Sequence, residues 1–222
     1  MKAPWITRKQ LSIGNVYYSL NSSEKKQIAR EVVEIQRKVS TIDISTDSEW
    51  RWNSVVEEIL NRAEERIGRK RYFDVNRVHT IKNLQQEIQE YLDKVQPTPY
   101  LDDISTKNLL INEGKVSGII DIDWMGFGDM LTFVAMTKVA LLNMNLDTEY
   151  IDYLLDEIHP NAAEYKAFVF YCLMFCVDFM GERGIQFLDK TIPVNESIVG
   201  RLNEIFELLM EEWNKCGERL VS

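Results

Sequence analysis

The stretch LDDISTKNLLI at residues 101–111, together with GIIDIDWMGFGD at residues 118–129, decides how the chain is expected to fold. The first stretch ends in an apolar run, and the second opens with β-branched residues. An Asn-Glu-Gly-Lys turn signal lies between them. This pattern predicts a β-hairpin over about residues 108–122. Because a hairpin brings its two ends together, Asn108 and Asp121 can point at one spot.

The polar residues around this hairpin suit phosphoryl transfer. The amide oxygen of Asn108 and the carboxylate of Asp121 are hard ligands, which suit Mg²⁺ held between a protein and a polyphosphate. Asp103, on the loop before the hairpin, could accept a proton from a substrate hydroxyl or orient it. A positioned base and metals that neutralise phosphate charge are what phosphoryl transfer requires. Structural roles stay open for all three: a loop cap, a turn asparagine and a strand-end aspartate.

Three further acidic residues lie within the same stretches. For Asp123, a structural role and contact with metal or substrate are equally well supported. Asp102 is out of register with the pattern, and a solvated side chain is expected. Asp129 is expected to cap a helix that starts near Met130, because aspartate accepts hydrogen bonds from the first backbone amides of a helix.

The two stretches resemble the paired signatures of the aminoglycoside phosphotransferase and choline kinase-like family. These signatures are a His-x-Asp-x-x-x-x-Asn loop entering an aliphatic strand, and an Ile-Asp segment that closes in Gly-x-Gly-Asp. The resemblance puts Asp103 on the catalytic aspartate, and Asn108 and Asp121 on the metal-binding residues. The helix expected at residues 21–39 is similar to the family's helix after the hinge between its lobes.

The resemblance implies a mainly α fold, the helical C-terminal lobe of a protein kinase-like fold with one small β-hairpin. It also implies Mg²⁺, ATP or GTP as co-substrate, and transfer of the γ-phosphate to a hydroxyl of a small cationic molecule such as an aminoglycoside. The family loop's histidine is Leu101 here, and its His-Pro-Gly is Ser105-Thr106-Lys107. Since that histidine braces the loop, its replacement is expected to loosen Asp103.

A complete family member begins with a β-rich lobe that carries a phosphate-covering loop and a lysine paired with a glutamate. Nothing rich in glycine or strand pattern precedes Gly14, so the sequence is expected to start near the hinge. On this interpretation the chain is incomplete as a catalyst without an N-terminal lobe. Two alternatives remain: a non-catalytic module that binds small molecules, and a degenerate truncated kinase homologue.

The rest of the chain is helical in pattern, and residues 1–222 are expected to form a single domain. Its expected parts are a hinge-proximal segment (1–20), helices (21–96), the catalytic loop and metal-binding hairpin (100–129) and a helical bundle (130–222). Apolar residues at helical spacing predict the individual helices. These are expected at 21–39, from Trp52 to Gly68, and over 81–95, 131–143, 149–158 and 195–213, with a long buried helix around 167–180.

Composition narrows the range of partners and locations. The net charge of −9 argues against nucleic acid, which needs Lys and Arg. That charge is compatible with a cationic substrate, but the simpler explanation, that acidity keeps the protein soluble, is favoured. The most apolar stretch, residues 167–180, is too short to cross a membrane, and a cytoplasmic location is expected. Apolar residues near Ile13, Val16 and Tyr17 are a candidate self-association surface. Trp50 and Trp52 are candidates for a substrate cleft or for an amphipathic helix.

Overall fold

The computed structural model describes residues 13–43, 50–122, 125–187 and 190–219. The predicted mainly α fold is confirmed, with helices that account for most of the described residues. They are α1 (Ile13–Tyr18), α2 (Ser22–Val39), α3 (Trp52–Lys70), α4 (Asn76–Glu87), α5 (Gln89–Leu92), α6 (Leu131–Asn143), α7 (Glu149–Ile158), α8 (Ala162–Glu182) and α9 (Glu196–Arg219).

Short polar signals in the sequence define where the two best-capped helices begin. Asn21 starts α2 with a capping box, in which its side chain accepts from the amides of Ser23 and Glu24. Asn161 starts α8 in the same way. Both satisfy backbone donors that the first turn of a helix leaves without partners. The asparagine side chain thus accounts for where each of these two helices begins.

The core is built around α8. This helix packs against α3, α6 and α9, and 13 of its 21 residues are buried. Helix α2 packs against α7 and against the strands between residues 99 and 119. The helices thus form a framework on which the segment from residue 99 to residue 129 rests.

The strands form three two-stranded antiparallel sheets within the described residues. The predicted hairpin is confirmed as β2 (Leu109–Asn112) paired with β3 (Lys115–Ile119). Two further pairs were not predicted. They join β1 (Pro99–Leu101) to β4 (Met125–Phe127), and β5 (Gln186–Phe187) to β6 (Lys190–Thr191). Strands of two or three residues are too short to show periodicity, so these pairs could not be recognised in the sequence.

Several predicted helix boundaries need correction. Helix α1 lies within the expected hinge-proximal segment, 1–20, where no helix was predicted. Helix α3 does not stop at Gly68 but continues to Lys70, and Arg71 then adopts a left-handed conformation with φ of +58°. The helix expected over 81–95 is two helices, α4 and α5, separated at Ile88. Helix α9 extends beyond Trp213 to Arg219.

The surface suggested for self-association is not an open apolar patch at Tyr17. This side chain is fully buried and packs edge-on against Tyr150 of α7. Val16 beside it is partly buried against the core. Among the helices in the described ranges, none is long and apolar enough to cross a membrane.

Candidate active site

The loop that carries Asp103 is anchored at its start by β1 and by helix α2. Leu101, the last residue of β1, lies opposite Met125 of β4. Gln36 of α2 contacts the backbone of Leu101 twice. Its Nε2 donates to the carbonyl oxygen at 2.7 Å, and its Oε1 accepts from the amide at 2.9 Å. Gln36 is fully buried, so these bonds are shielded from water.

Asn108 closes the other end of the loop. It ends a 3₁₀ turn formed by Thr106–Asn108, and its backbone amide donates to the carbonyl of Ser105 at 2.9 Å. Its side-chain nitrogen donates to the carbonyl of Asp103 at 2.9 Å. Its own carbonyl accepts from the amide of Ile120 at 2.9 Å. Asn108 therefore joins the loop to the returning strand of the hairpin, and it is buried.

Asp103 is half-exposed and forms an ion pair with Lys107, with 3.0 Å between Oδ2 and Nζ. Burial alone would raise the pKa of Asp103, but the hydrogen bonds and charge of its neighbours, of which Lys107 contributes most, together outweigh it. The pKa of Asp103 therefore lies below its usual value. The carboxylate is ionised at neutral pH, which is the form that can accept a proton or orient a hydroxyl.

Asp121 lies just beyond β3 with an exposed side chain. Its backbone is in the left-handed region, with φ of +62°, which residues other than glycine seldom adopt. Aspartate tolerates this region better than most side chains do. No hydrogen bond or ion pair to another residue of the described ranges engages its carboxylate. The turn thus presents an unpaired negative charge to the surface.

A cavity of about 170 Å³ brings the two ends of this segment together. Its lining residues are Leu101, Asp102, Asp103, Ile104, Ile119, Asp121 and Ile122. Three of them carry carboxylates and the others are apolar, so the lining of the cavity is part acidic and part apolar. The structure therefore brings Asp103 and Asp121 to one cavity, and Asn108 does not line it.

The expectation that Asp102 is solvated is wrong. Its side chain is only partly exposed and lines the cavity. Burial, and next the charge of neighbouring Asp103, raise the pKa of Asp102 above its usual value. Two adjacent carboxyl groups thus have pKa values shifted in opposite directions. Register alone could not reveal this, because it depends on how the loop folds against the core.

The described residues do not by themselves assemble a closed metal site. Within the four described ranges, no group of three or more His, Cys, Asp or Glu side chains is arranged to hold an ion. Asp123, a candidate for metal or substrate contact, lies outside the described residues. The donor set that remains is Asp121 with the amide of Asn108, and it would leave most ligand positions to phosphate and water.

Asp129 does more than cap a helix. Its Oδ1 accepts from the amide of Leu131 at the start of α6, as predicted, at 2.9 Å. Its Oδ2 accepts from the hydroxyls of Tyr91 at 2.6 Å and Tyr171 at 3.0 Å. Burial raises the pKa of Asp129, although these hydrogen bonds act in the opposite direction. The two tyrosines were missed in the sequence because neither lies near the motif.

Both candidate tryptophans line a second cavity, of about 270 Å³, away from the acidic one. Trp52 is buried and its Nε1 donates to the hydroxyl of Tyr171 at 2.8 Å. Trp50 stacks on Trp52, with ring centroids 6.2 Å apart. The bonding of Trp52 favours the structural interpretation for this residue.

A sequence model of the phosphotransferase enzyme family (APH) matches residues 3–168, which is more than half of the chain. The match includes the whole segment from Leu101 to Asp129 that suggested the resemblance. A search of curated proteins found no match.

Solved structures of aminoglycoside phosphotransferases have the same fold. ADP-bound APH(2'')-Ib is 16% identical with a TM-score of 0.55, over 96% of this chain and 71% of that one. The gentamicin complex of APH(2")-IIa is 14% identical with a TM-score of 0.57, over 93% and 68%. A thermostable APH(4)-Ia mutant with AMP-PNP and hygromycin B is 16% identical with a TM-score of 0.55, over 86% and 68%. The predicted kinase-like fold is confirmed.

Proposed function

The chain belongs to the phosphotransferase enzyme family, and from this premise we propose that it transfers the γ-phosphate of ATP or GTP to a hydroxyl of a small cationic molecule. Aminoglycosides are the substrate class that the structural neighbours suggest, because gentamicin and hygromycin B are bound in two of them. The observation that carries the proposal is the cavity lined by both Asp103 and Asp121.

Asp103 is the proposed catalytic residue. Its lowered pKa keeps it ionised at neutral pH, so it can hold a substrate hydroxyl by its proton and draw that proton away as the phosphoryl group arrives. The Asn108 side chain donates to the carbonyl of Asp103, which limits how far the loop can move. Positioning of this kind accounts for much of the catalysis of phosphoryl transfer.

Asp121 and Asn108 are the proposed magnesium ligands. The donor chemistry fits, because Mg²⁺ binds one or two carboxylate or amide oxygens and completes its shell with phosphate oxygens and water. The exposed Asp121 carboxylate has no competing partner in the described ranges, and the donor role of Asn108 Nδ2 leaves its Oδ1 for a cation. Bound Mg²⁺ would supply positive charge to the transferring phosphates.

The acidic part of the cavity lining supports a cationic substrate. Asp102, Asp103 and Asp121 face one small space, in a chain whose net charge is −9. Opposite charge favours the approach and orientation of an ammonium-bearing molecule. Asp102, whose pKa is raised by burial, would gain most from a nearby cation, since a positive charge favours its ionised form.

Calorimetric titration with MgATP, MgGTP and a panel of aminoglycosides tests the proposal, with concentrations that extend into the millimolar range. Asp121→Ala is expected to abolish nucleotide binding, and Asp156→Ala, an exposed aspartate on α7, is expected to leave it unchanged. Formation of phosphorylated product by the unmodified chain, lost in Asp103→Asn, would establish the reaction. Failure of the unmodified chain to bind nucleotide would contradict it.

A non-catalytic module that binds small molecules is the second candidate. The ion pair between Asp103 and Lys107 favours it, because a carboxylate engaged by an ammonium is less free to serve a substrate hydroxyl. In the titration above, aminoglycoside binding without nucleotide binding would support this candidate. Turnover of ATP together with a hydroxyl substrate would eliminate it.

A further inference from the structure

The contact between Gln36 and Leu101 copies the hydrogen bonding of a neighbouring strand. One side-chain amide both donates to and accepts from the backbone of a single residue, at 2.7 and 2.9 Å. In an antiparallel sheet, a hydrogen-bonded residue pair exchanges the same two bonds. The N–H of Leu101 is donated to Gln36, so a side chain from α2 provides the partner for this end of β1.

Gln36 is costly to bury unless it makes these bonds. Its side chain has no exposed surface, and a buried amide without partners loses several kcal/mol relative to water. The same holds for the backbone groups of Leu101, which is 9% exposed. Each group satisfies the other, so the pair has one favourable geometry and resists displacement.

The contact between Gln36 and Leu101 lies directly before the loop of the candidate active site. Leu101 is two residues before Asp103, and the next fixed points of the loop lie downstream. These are the bond from Asn108 to the carbonyl of Asp103, and a 3.2 Å bond from the Tyr150 hydroxyl to the carbonyl of Ile104. Gln36 is therefore the upstream anchor of the short span that carries Asp102 and Asp103.

We infer that Gln36 is a positioning residue, which holds the loop so that Asp103 faces the cavity shared with Asp121. This inference rests on the proposed phosphotransferase function. It replaces the expectation that the leucine at position 101 leaves the loop loose. Gln36 on α2 binds the backbone of Leu101 and not its side chain. The identity of the side chain at position 101 therefore has little effect on how the loop is held.

A second buried glutamine provides a matched control. Gln85 of α4 is 6% exposed, and its Nε2 donates to Oδ1 of Asn53 on α3 at 2.6 Å. That bond joins two helices and touches no residue that lines the acidic cavity. Gln36→Met and Gln85→Met each remove a buried amide and keep a side chain of similar length, so both are expected to lower stability.

The test combines hydrogen exchange with steady-state kinetics on the full chain. In Gln36→Met, exchange of the backbone amides at 101–105 is expected to be about tenfold faster than in Gln85→Met at equal stability. The kcat for phosphoryl transfer from MgATP to an aminoglycoside is expected to fall about tenfold or more, with KM for ATP within about twofold, because misplacement of a reacting group lowers kcat. Gln85→Met is expected to change neither.

Each outcome decides the inference. Equal exchange and equal kcat in the two variants would overturn the inference and leave Gln36 with a role in stability alone. Faster exchange at 101–105 in Gln36→Met, with no turnover even in the unmodified chain, would support the brace and contradict the proposed function. If Gln36→Met does not fold, Gln36→Glu, which keeps the acceptor for Leu101, is compared with Gln85→Glu by the same two measurements.

Discussion

The helical framework and the loop-and-hairpin segment, residues 99–129, are held together in different ways. Helix α8 buries 13 of its 21 residues, and its aromatic side chains pack on neighbouring helices. In the described part of the loop-and-hairpin segment, four large apolar side chains are exposed instead: Ile120, Ile122, Met125 and Phe127. The framework depends on apolar packing spread over many residues, whereas the segment combines buried apolar side chains such as Ile104 and Leu109 with a few polar contacts.

Stability and function are therefore expected to depend on different residues. The polar contacts of the segment come from helices: Gln36 on α2 fixes its start, and Tyr91 and Tyr171 bind Asp129 at its end. The carboxylates of Asp103 and Asp121 lie between these anchors and are exposed to the cavity. Substitutions in the framework should therefore change the free energy of unfolding, and those between the anchors should change chemistry.

The same substitution made in both regions is expected to give the largest contrast. Phe170 of α8 is fully buried between Tyr171 and Trp213, and Phe127 of β4 is 41% exposed. Phe170→Ala is expected to lower the free energy of unfolding by about 4 kcal/mol, through lost burial and a cavity. Phe127→Ala is expected to lower it by less than about 1 kcal/mol. Chemical denaturation of both variants measures the contrast, and equal losses would contradict the division.

The junction between the two regions is expected to show the next largest effect. Gly128 has φ of +135°, and a Cβ added there would lie 2.3 Å from Cε3 of the buried Trp52. Gly128→Ala is expected to lower the free energy of unfolding by about 3 kcal/mol, from backbone strain and steric overlap. Gly200 of α9 has no atom near its added Cβ.

Gly200→Ala is the control for this substitution. It is expected to raise stability by about 0.5 kcal/mol or more, because alanine favours helix over glycine. Thermal and urea unfolding measure both variants. A Gly128→Ala protein as stable as the unmodified chain would mean that the segment can shift away from Trp52, and the junction would then not be rigid.

The sequence predicted those parts of the site that depend on local order along the chain. The hairpin from β2 to β3 followed from two apolar runs around a turn signal, and α2 and α8 contain the apolar stretches that predicted them. Each of these features depends on neighbours within a few residues. Such neighbours are visible in one sequence.

The contacts between distant residues could not be predicted. Gln36 lies 65 positions before Leu101, and Tyr171 lies 42 positions after Asp129. Nothing local distinguishes a glutamine that will brace a loop from one that faces solvent. The low exposure of Asp102 and the pairing of β1 with β4 also arise only when the chain packs. Motif spacing named candidate residues, and packing decides which side chains share the cavity.

The smallest effect on stability, with a distinct effect on chemistry, is expected from Lys107→Ala. The ion pair with Asp103 is largely exposed, with Lys107 at 60% side-chain exposure, so its loss is expected to cost less than about 1 kcal/mol. Lys107 lowers the pKa of Asp103, and without it that pKa rises. Because the protonated carboxyl cannot accept a proton, the acid limb of kcat/KM is expected to move to higher pH.

The titration of Asp103, followed by carbon NMR of its carboxyl group, measures this shift even without turnover. Lys94→Ala provides the control, because it removes another exposed i,i+4 ion pair, Lys94 with Glu90 at 2.6 Å, outside the loop-and-hairpin segment. That variant is expected to match Lys107→Ala in stability and to leave the pKa of Asp103 unchanged. An Asp103 titration that stays fixed in Lys107→Ala would show that burial and the loop backbone, and not the ion pair, set the charge state of the proposed base.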